Sequence, residues 1–314
     1  MVLKFFLLFL LAVAGLVNQQ VLGQQVPDKT FQPKIESPVF EKGRGPRVGI
    51  DSAHHNFHTA TGRYKSFADL LKRDGYRIID FDQSITEQTL KKIDVLVISN
   101  ALNKRNISDW ALPTPSAFER DEIDALKLWV AAGGSLFLIA DHMPFPGAAS
   151  ELAKAFGFTF SNGYARPALQ RERGAIGDVF GKTSGLIDSE ITRGRSDAET
   201  VTSVTTFGGS AFQAPDNAIK IIQFGPKSVS RETKRAPGIT RDAPTIKIDG
   251  WCQGAALKMK KGRVVVFGEA AMFSAQLAGQ MKRPMGMNAS NAKQNYQLLL
   301  NVMRWLTKAE GRQD

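Results

Sequence analysis

Short apolar runs recur along residues 46–160 of the 314-residue chain, and each has the length of a β-strand. They lie at 47–50, 76–80, 93–100 and 136–140. The run at 93–100 is nearly continuous in apolar residues, as is typical of a parallel strand buried on both faces of a sheet. The pattern therefore predicts four strands of one sheet in the first half of the chain.

Stretches with helical spacing of apolar residues separate these runs. One begins near Thr61 and stops at Gly75, a second covers 116–132 and opens with a capping-box pattern, and a third covers 148–156. A last helix is predicted over 291–307. The alternation of strands and helices predicts an α/β fold with a doubly wound, mostly parallel sheet.

The alternation stops at 162–250, where the chain is rich in Gly, Arg, Ser and Thr and has only short β-like runs. It returns with an apolar strand at 262–268. We therefore predict a single α/β domain over 46–308, in which 162–250 is a β-rich insertion or cover. An extended lead-in at 24–45 precedes the domain, and a tail at 309–314 follows it.

The first 23 residues have the pattern of a secretory signal peptide. A positively charged start at 1–4 is followed by an apolar stretch at 5–17 and by small residues at Val21 and Gly23, which suit cleavage before Gln24. The apolar stretch is too short to span a membrane. The sequence thus predicts an exported protein, periplasmic or extracellular, that does not span the membrane after cleavage.

The charge of the chain limits the kinds of binding partner that are expected, and its cysteine content limits the disulfides. The chain has 41 Lys and Arg against 30 Asp and Glu, a formal net charge of +11 that is spread along the sequence. A solvated surface is the simplest interpretation, and an affinity for anionic partners is the second. No RNA-binding aromatic motif or zinc-finger spacing is present, so nucleic acid is not expected as a partner. The single cysteine, Cys252, rules out an intramolecular disulfide and is predicted to be buried.

The chain has only four histidines, and all of them follow predicted strands. Because parallel strands end at the same edge of a sheet, polar residues at their carboxyl ends are expected to converge there. The polar residues after four strand ends are Asp51 with His54, His55, Asn56 and His58; Asn100; Asp141 with His142; and Glu269. Such residues also cap helices or bond loop backbone, but four strand ends that hold every histidine favour a functional site.

Two kinds of chemistry are open to these residues. His54, His58 and His142 are candidate ligands of one divalent metal (Zn, Fe or Mn), and His54 and His58 would face one way on a helical turn. Without a metal, general acid–base catalysis is the alternative. We assign candidate catalytic roles to Asp51, His55, Asp141 and Glu269, and candidate substrate contacts to Asn56, Arg63 and Asn100.

Five stretches also carry a family resemblance: 50–58, 62–64, 94–100, 133–142 and 268–273. On these stretches the chain resembles the class I glutamine amidotransferase-like superfamily, and within it an exported bacterial family related to the soluble domain of gliding-motility transport proteins. The resemblance implies a flavodoxin-like α/β fold. It does not imply amidotransferase activity, because Asp141-His142 stands near the position of the elbow cysteine.

Two functions remain open from the sequence. The first is a metal-assisted or acid–base hydrolase that acts on a small or carbohydrate-like substrate, with an anionic substrate as one option. The second is a non-catalytic ligand-binding or scaffolding module of the cell envelope. Convergence of the strand-end side chains around one closed pocket would favour the hydrolase.

Overall fold

The computed structural model describes residues 25–169, 176–240 and 242–311, so the predicted signal peptide lies outside the described residues. The strands are β1 (Gln25–Pro27), β2 (Arg47–Asp51), β3 (Arg77–Phe81), β4 (Val95–Ser99), β5 (Ser135–Ile139), β6 (Thr159–Phe160), β7 (Gly163–Arg166), β8 (Asp178–Gly181), β9 (Ser203–Thr206), β10 (Phe212–Gln213), β11 (Ile219–Gln223), β12 (Val229–Glu232), β13 (Thr245–Lys247), β14 (Cys252–Met259), β15 (Gly262–Phe267), β16 (Ala275–Ala278) and β17 (Arg283–Gly286). The helices are α1 (Lys65–Arg73), α2 (Glu87–Leu90), α3 (Arg120–Ala132), α4 (Phe145–Ala155), α5 (Glu190–Arg193) and α6 (Asn295–Leu306).

The main sheet is mixed. It has nine strands in the described residues, in the order β3-β2-β4-β5-β15-β14-β10-β6, with β11 also paired to β14. The five strands from β3 to β15 are parallel to one another, and the remaining strands are antiparallel to their neighbours. Three smaller antiparallel sheets accompany it: β1-β16-β17, β13-β12-β7 and β8-β9.

The predicted doubly wound, mostly parallel flavodoxin-like sheet is therefore wrong. Only four of the thirteen strand pairings in the described residues are parallel, and the chain is a strand-rich mixed α/β protein. The physical reason lies in the connections. A parallel pair needs a crossover of a dozen or more residues, whereas Lys260 and Lys261 alone join β14 to β15, which makes that pair an antiparallel hairpin.

The apolar core lies on both faces of the parallel strands. Side chains alternate between the faces along a strand, so Val95 and Val97 of β4 pack in one cluster and Leu96 and Ile98 pack in the other. The first cluster includes the apolar faces of α1 and α6, and the second includes those of α3 and α4. This arrangement buries the strands on both faces and leaves their carboxyl ends at one open edge.

The segment predicted as an insertion carries strands β7 to β13. β10 and β11 join the main sheet, while β7, β12 and β13 form a sheet of their own. Elsewhere, Cys252 is buried in β14 with its thiol free. No helix in the part of the chain that the structure describes is long and apolar enough to cross a membrane.

A buried ion-pair network holds α6 against the rest of the domain. Arg304 of α6 donates from Nε and Nη2 to Asp74, at 3.0 and 2.7 Å, and from Nη1 to Glu199 at 2.7 Å. The Arg304 and Asp74 side chains are 2% and 0% exposed. Arg195 also donates to Glu199. Removal of one member would leave a buried charge without its partner, which is far more costly than the loss of an exposed pair.

We therefore expect Arg304→Ala to lower the free energy of unfolding by about 3–5 kcal/mol, measured by urea denaturation. The matched control is Arg47→Ala, because Arg47 makes an equally short pair with Asp94 in which the side chains are 34% and 43% exposed. That variant should lose at most about 1 kcal/mol. Equal losses in the two variants would contradict this account.

Candidate active site

The loop after β2 is built around the buried carboxylate of Asp51. Its two oxygens lie 3.0 and 2.9 Å from Nδ1 of His54, and Oδ2 accepts a hydrogen bond from Nδ2 of Asn56 at 3.0 Å. Oδ1 also accepts the backbone N–H of Ala53 at 3.2 Å. Asp51 is fully buried at the end of its strand. These bonds bend the chain back over the strand end and fix the course of the residues that follow.

His54 lies between two carboxylates. Its Nε2 atom is 3.2 Å from Oε1 of Glu122, which also accepts the backbone N–H of Ile85 at 2.9 Å. Burial opposes a charged imidazole, but the hydrogen bonds to Asp51 and Glu122 outweigh it and raise the pKa of His54 to about 9. Burial also disfavours the Glu122 anion, yet its bonds to His54 and to backbone N–H groups lower its pKa to about 2. We call this cluster the Asp51–His54–Glu122 clamp.

Asn100 orients His58. Asn100 follows β4 with a φ of 53°, and its Oδ1 accepts the backbone N–H of Asp141 at 2.8 Å. Its Nδ2 is therefore the atom that faces Nδ1 of His58, at 3.3 Å. Burial, and then the charge of Arg63, lower the pKa of His58 to about 3, so the ring is neutral. Because Nδ1 accepts, the proton is on Nε2, which is buried and has no hydrogen-bond partner in the described residues.

His142 has the opposite tautomer. Its Nδ1 lies 2.8 Å from the carbonyl oxygen of Met143, which can only accept, so Nδ1 carries the proton when the ring is neutral. Nε2 then holds a lone pair. The ring is stacked on Tyr164 at a centroid distance of 4.3 Å and an angle of 15°, which fixes the direction of that lone pair. The arrangement suits a general base.

Glu269 is the buried acid of the site. Its Oε1 and Oε2 accept the backbone N–H groups of Ala271 and Met272 at 2.7 and 2.8 Å. Burial, and then the negative charge of Asp141, raise the pKa of Glu269 well above its usual range, against the opposing effect of those backbone N–H groups. Asp141 in turn accepts the backbone N–H of His142 at 2.7 Å. The burial of Glu269 and its acidic neighbour thus favour the protonated form of this carboxyl group.

These groups meet in one pocket of about 530 Å³ at the carboxyl edge of the parallel strands. Six of the ten side chains predicted from the sequence line it: His58, Arg63, Asn100, Asp141, His142 and Glu269. The volume is within the range of small-molecule sites. The pocket thus combines the imidazoles of His58 and His142, the carboxyl groups of Glu269 and Asp141, the amide of Asn100 and the guanidinium of Arg63.

Aromatic side chains form much of the wall. Phe57, Trp110 and Phe145 contact one another, with ring centroids 5.2 to 5.6 Å apart, and Phe207 also lines the pocket. Such a wall is typical of small-molecule sites, which combine apolar and aromatic surface with a few directed polar groups. Sequence reasoning missed these residues, although Phe57 stands within the histidine-rich stretch.

A loop from the 162–250 segment closes one side of the pocket. Arg235, Ala236 and Pro237 line it. The backbone N–H of Ala236 donates to the carbonyl oxygen of Trp110 at 2.8 Å, and Arg235 forms an ion pair with Asp109. The aromatic wall and this loop are therefore held together as one rim.

The other four predicted side chains do not line the pocket. Asp51, His54 and Asn56 lie behind it and shape the loop, and His55 is exposed. The expectation that His54 and His58 share a helical face is wrong, because the loop is not helical and Asp51 turns His54 towards Glu122. In the described ranges no group of three or more His, Cys, Asp or Glu side chains is placed to hold a metal ion. Of the three imidazoles predicted as ligands, His58 and His142 both line the pocket, whereas His54 does not.

Comparison with known proteins gives fold relationships alone. No protein-family model and no curated protein matches the chain. Among solved structures, the N-terminal domain of mmIFT52 is similar, with a TM-score of 0.57 and 14% identity over 83% of this chain and 97% of that chain. This match shows a shared fold and nothing about activity.

Two further neighbours are more distant. A putative ThuA-like protein from Bacteroides uniformis has a TM-score of 0.47 and 14% identity, over 88% of this chain and 94% of that chain. A putative GMP synthase component from Thermoplasma acidophilum has a TM-score of 0.37 and 12% identity, over 81% of this chain and 90% of that chain. Both TM-scores are below 0.5, so neither match assigns this chain to a superfamily, and a link to gliding-motility proteins is not shown.

The Asp51–His54–Glu122 clamp predicts a pH dependence of stability. The pKa of His54 is raised from 6.5 to about 9 by folding, so its stabilising effect is complete below pH 6.5 and is lost as the pH rises through 9. We expect the free energy of unfolding to fall by on the order of 3 kcal/mol across this window.

Urea denaturation at several pH values checks this expectation. His54→Gln should flatten the dependence between pH 6.5 and 9, and the control His55→Asn, at an exposed neighbouring position, should keep it. A wild-type curve that is flat in this window would contradict a charged His54.

Proposed function

We propose that the protein is a hydrolase that uses general acid–base catalysis on a small, carbohydrate-like substrate. The observation that carries the proposal is that Glu269, which is buried and has a pKa raised well above its usual range, lines the same pocket as His142, whose Nδ1 is bound to the Met143 carbonyl. Two titratable groups whose surroundings shift their pKa values apart are the usual sign of an acid and a base in such catalysis.

In the proposed reaction, Nε2 of His142 removes a proton from a water molecule as the water oxygen attacks the electrophilic carbon of the substrate. The bond from that carbon to the leaving oxygen breaks, and the Glu269 carboxyl gives its proton to the leaving oxygen. The negative charge of Asp141 stabilises the imidazolium that forms on His142. Nδ1 of His142 remains bound to the Met143 carbonyl throughout, which keeps the ring in place.

The other pocket-lining residues favour a carbohydrate-like substrate. Phe57, Trp110, Phe145 and Phe207 provide apolar surface for the face of a sugar-like ring, and the pocket volume suits one or two such rings. No step is routed through a metal ion, because in the described residues no group of three or more His, Cys, Asp or Glu side chains is placed to hold one. Amidotransferase activity is not proposed, since the one cysteine, Cys252, is buried in β14 away from the pocket-lining residues.

We further propose that this chemistry takes place outside the cytoplasm, in the periplasm or the medium, because the first 23 residues have the pattern of a signal peptide. The resemblance to the soluble domain of gliding-motility transport proteins suggests a second function, a ligand-binding or scaffolding module of the envelope. The pocket would serve that function without the proton transfers.

A panel of nitrophenyl glycosides tests the proposal. We expect at least one to be hydrolysed, with kcat/KM reduced about 10²- to 10⁴-fold in Glu269→Gln and in His142→Gln, and unchanged in His55→Asn. The rate should fall as the pH rises through the raised pKa of Glu269, because the acid is then lost. Binding of a sugar without turnover of any substrate would reject the hydrolase in favour of the binding module.

A further inference from the structure

Two buried hydrogen-bond donors in the pocket have no acceptor. Nε of Arg63 and Nε2 of His58 are both buried without a partner in the described residues. The hydrogen bonds of Asn100 assign a proton to Nε2 of His58, so both atoms are N–H donors. A buried donor that is left unpaired costs about 1–3 kcal/mol, so two of them in one pocket indicate that a ligand supplies the acceptors.

The two donors belong to pocket-lining side chains that both contact Phe57. The guanidinium carbon of Arg63 lies 3.7 Å from the centroid of the Phe57 ring, and Phe57 also contacts the ring of His58, at 5.6 Å between centroids. Nη1 of Arg63 donates to the Phe57 carbonyl oxygen at 3.3 Å. Stacking and this bond fix the guanidinium plane, so Nε is presented in a constant direction.

The positive charge of Arg63 is also uncompensated. Burial is the sole cause that lowers its pKa, and no carboxylate in the described residues forms an ion pair with it. A guanidinium stays protonated under these conditions. By contrast, Arg304 and Arg195 are paired with carboxylates where they are buried. Arg63 therefore differs from the structural arginines of this protein in having an unused charge on a pocket wall.

We infer that Arg63 and His58 form a subsite for the carboxylate of an acidic sugar. One carboxylate oxygen accepts from Nε of Arg63, and the other accepts from Nε2 of His58, while the sugar ring lies along the aromatic wall. This inference rests on the proposed function for the identity of the ligand as a sugar, but the subsite itself needs only the two donors and the charge.

Calorimetric titration with D-glucuronate and D-glucose tests the subsite. We expect wild-type protein to bind glucuronate at least about 10-fold more tightly than glucose, because charge-assisted hydrogen bonds are the strong ones. Arg63→Gln should weaken glucuronate binding about 10- to 100-fold and leave glucose binding within about twofold. Arg63→Lys, which keeps the charge and lacks the fixed Nε, should be intermediate.

Arg44→Gln is the matched control, because it removes one positive charge at an exposed position that does not line this pocket. It should bind glucuronate as the wild type does. Equal affinity for glucuronate and glucose, or equal weakening in Arg44→Gln, would overturn the inference. Binding of inorganic phosphate or sulfate without binding of glucuronate would also overturn it, and would assign the donors to another oxyanion.

Thermal denaturation separates a binding role from a structural one. Arg63→Gln removes the stacking on Phe57 and the bond to its carbonyl but breaks no ion pair of the described residues, so the Tm should fall by no more than about 2–4 °C. A fall as large as that in Arg304→Ala would show that Arg63 serves the fold. The failure of the hydrolase and the failure of the subsite can be told apart. If the protein binds glucuronate through Arg63 but hydrolyses no substrate, only the hydrolase proposal is rejected. If it hydrolyses neutral glycosides and glucuronate does not inhibit that reaction, only the subsite is rejected.

Discussion

The geometry of the pocket depends on a charged imidazole held between two carboxylates. The Asp51–His54–Glu122 clamp joins the end of β2 to the first turn of α3, and two backbone bonds then tie the same loop to the next strand end: Phe57 N–H to the Asn100 carbonyl and Leu102 N–H to the His54 carbonyl, each 2.9 Å. Charges at buried or partly buried positions are costly unless they are paired. Here the imidazole is paired with both carboxylates, so the clamp stabilises the loop that places Phe57 and His58 in the pocket.

Within the pocket, the hydrogen-bond donors and acceptors next to each imidazole decide which of its ring nitrogens carries the proton. The Asp141 N–H fixes the Asn100 amide, and Asn100 then makes His58 an Nε2–H donor. The Met143 carbonyl makes His142 an Nδ1–H donor with its lone pair on Nε2. Two histidines of identical intrinsic chemistry thus carry their protons on different ring nitrogens, and burial, together with the negative charge of Asp141, raises the pKa of Glu269 well above its usual range.

The sequence supports part of this picture for clear physical reasons. The apolar runs located the parallel strands, because a strand buried on both faces must be apolar throughout. Six of the polar side chains near their carboxyl ends did converge, because those ends share one edge of the sheet. The antiparallel half was missed, because strands as short as β6 and β10 leave little periodicity and Lys260-Lys261 is not a recognisable turn signal. Spacing also grouped His54 with His58, whereas the partner that decides the position of His54 is Glu122, 68 residues away. No local pattern contains such a contact.

The most direct test of this account is the protonation of the four histidines, read from long-range ¹H–¹⁵N correlation spectra of ¹⁵N-labelled protein at pH 7. The account predicts a doubly protonated His54, a neutral His58 with its proton on Nε2, and a neutral form of His142 with its proton on Nδ1. Each ring can be assigned from its single-residue variant. A neutral His54, or a His142 with its proton on Nε2, would contradict the clamp or the proposed base respectively.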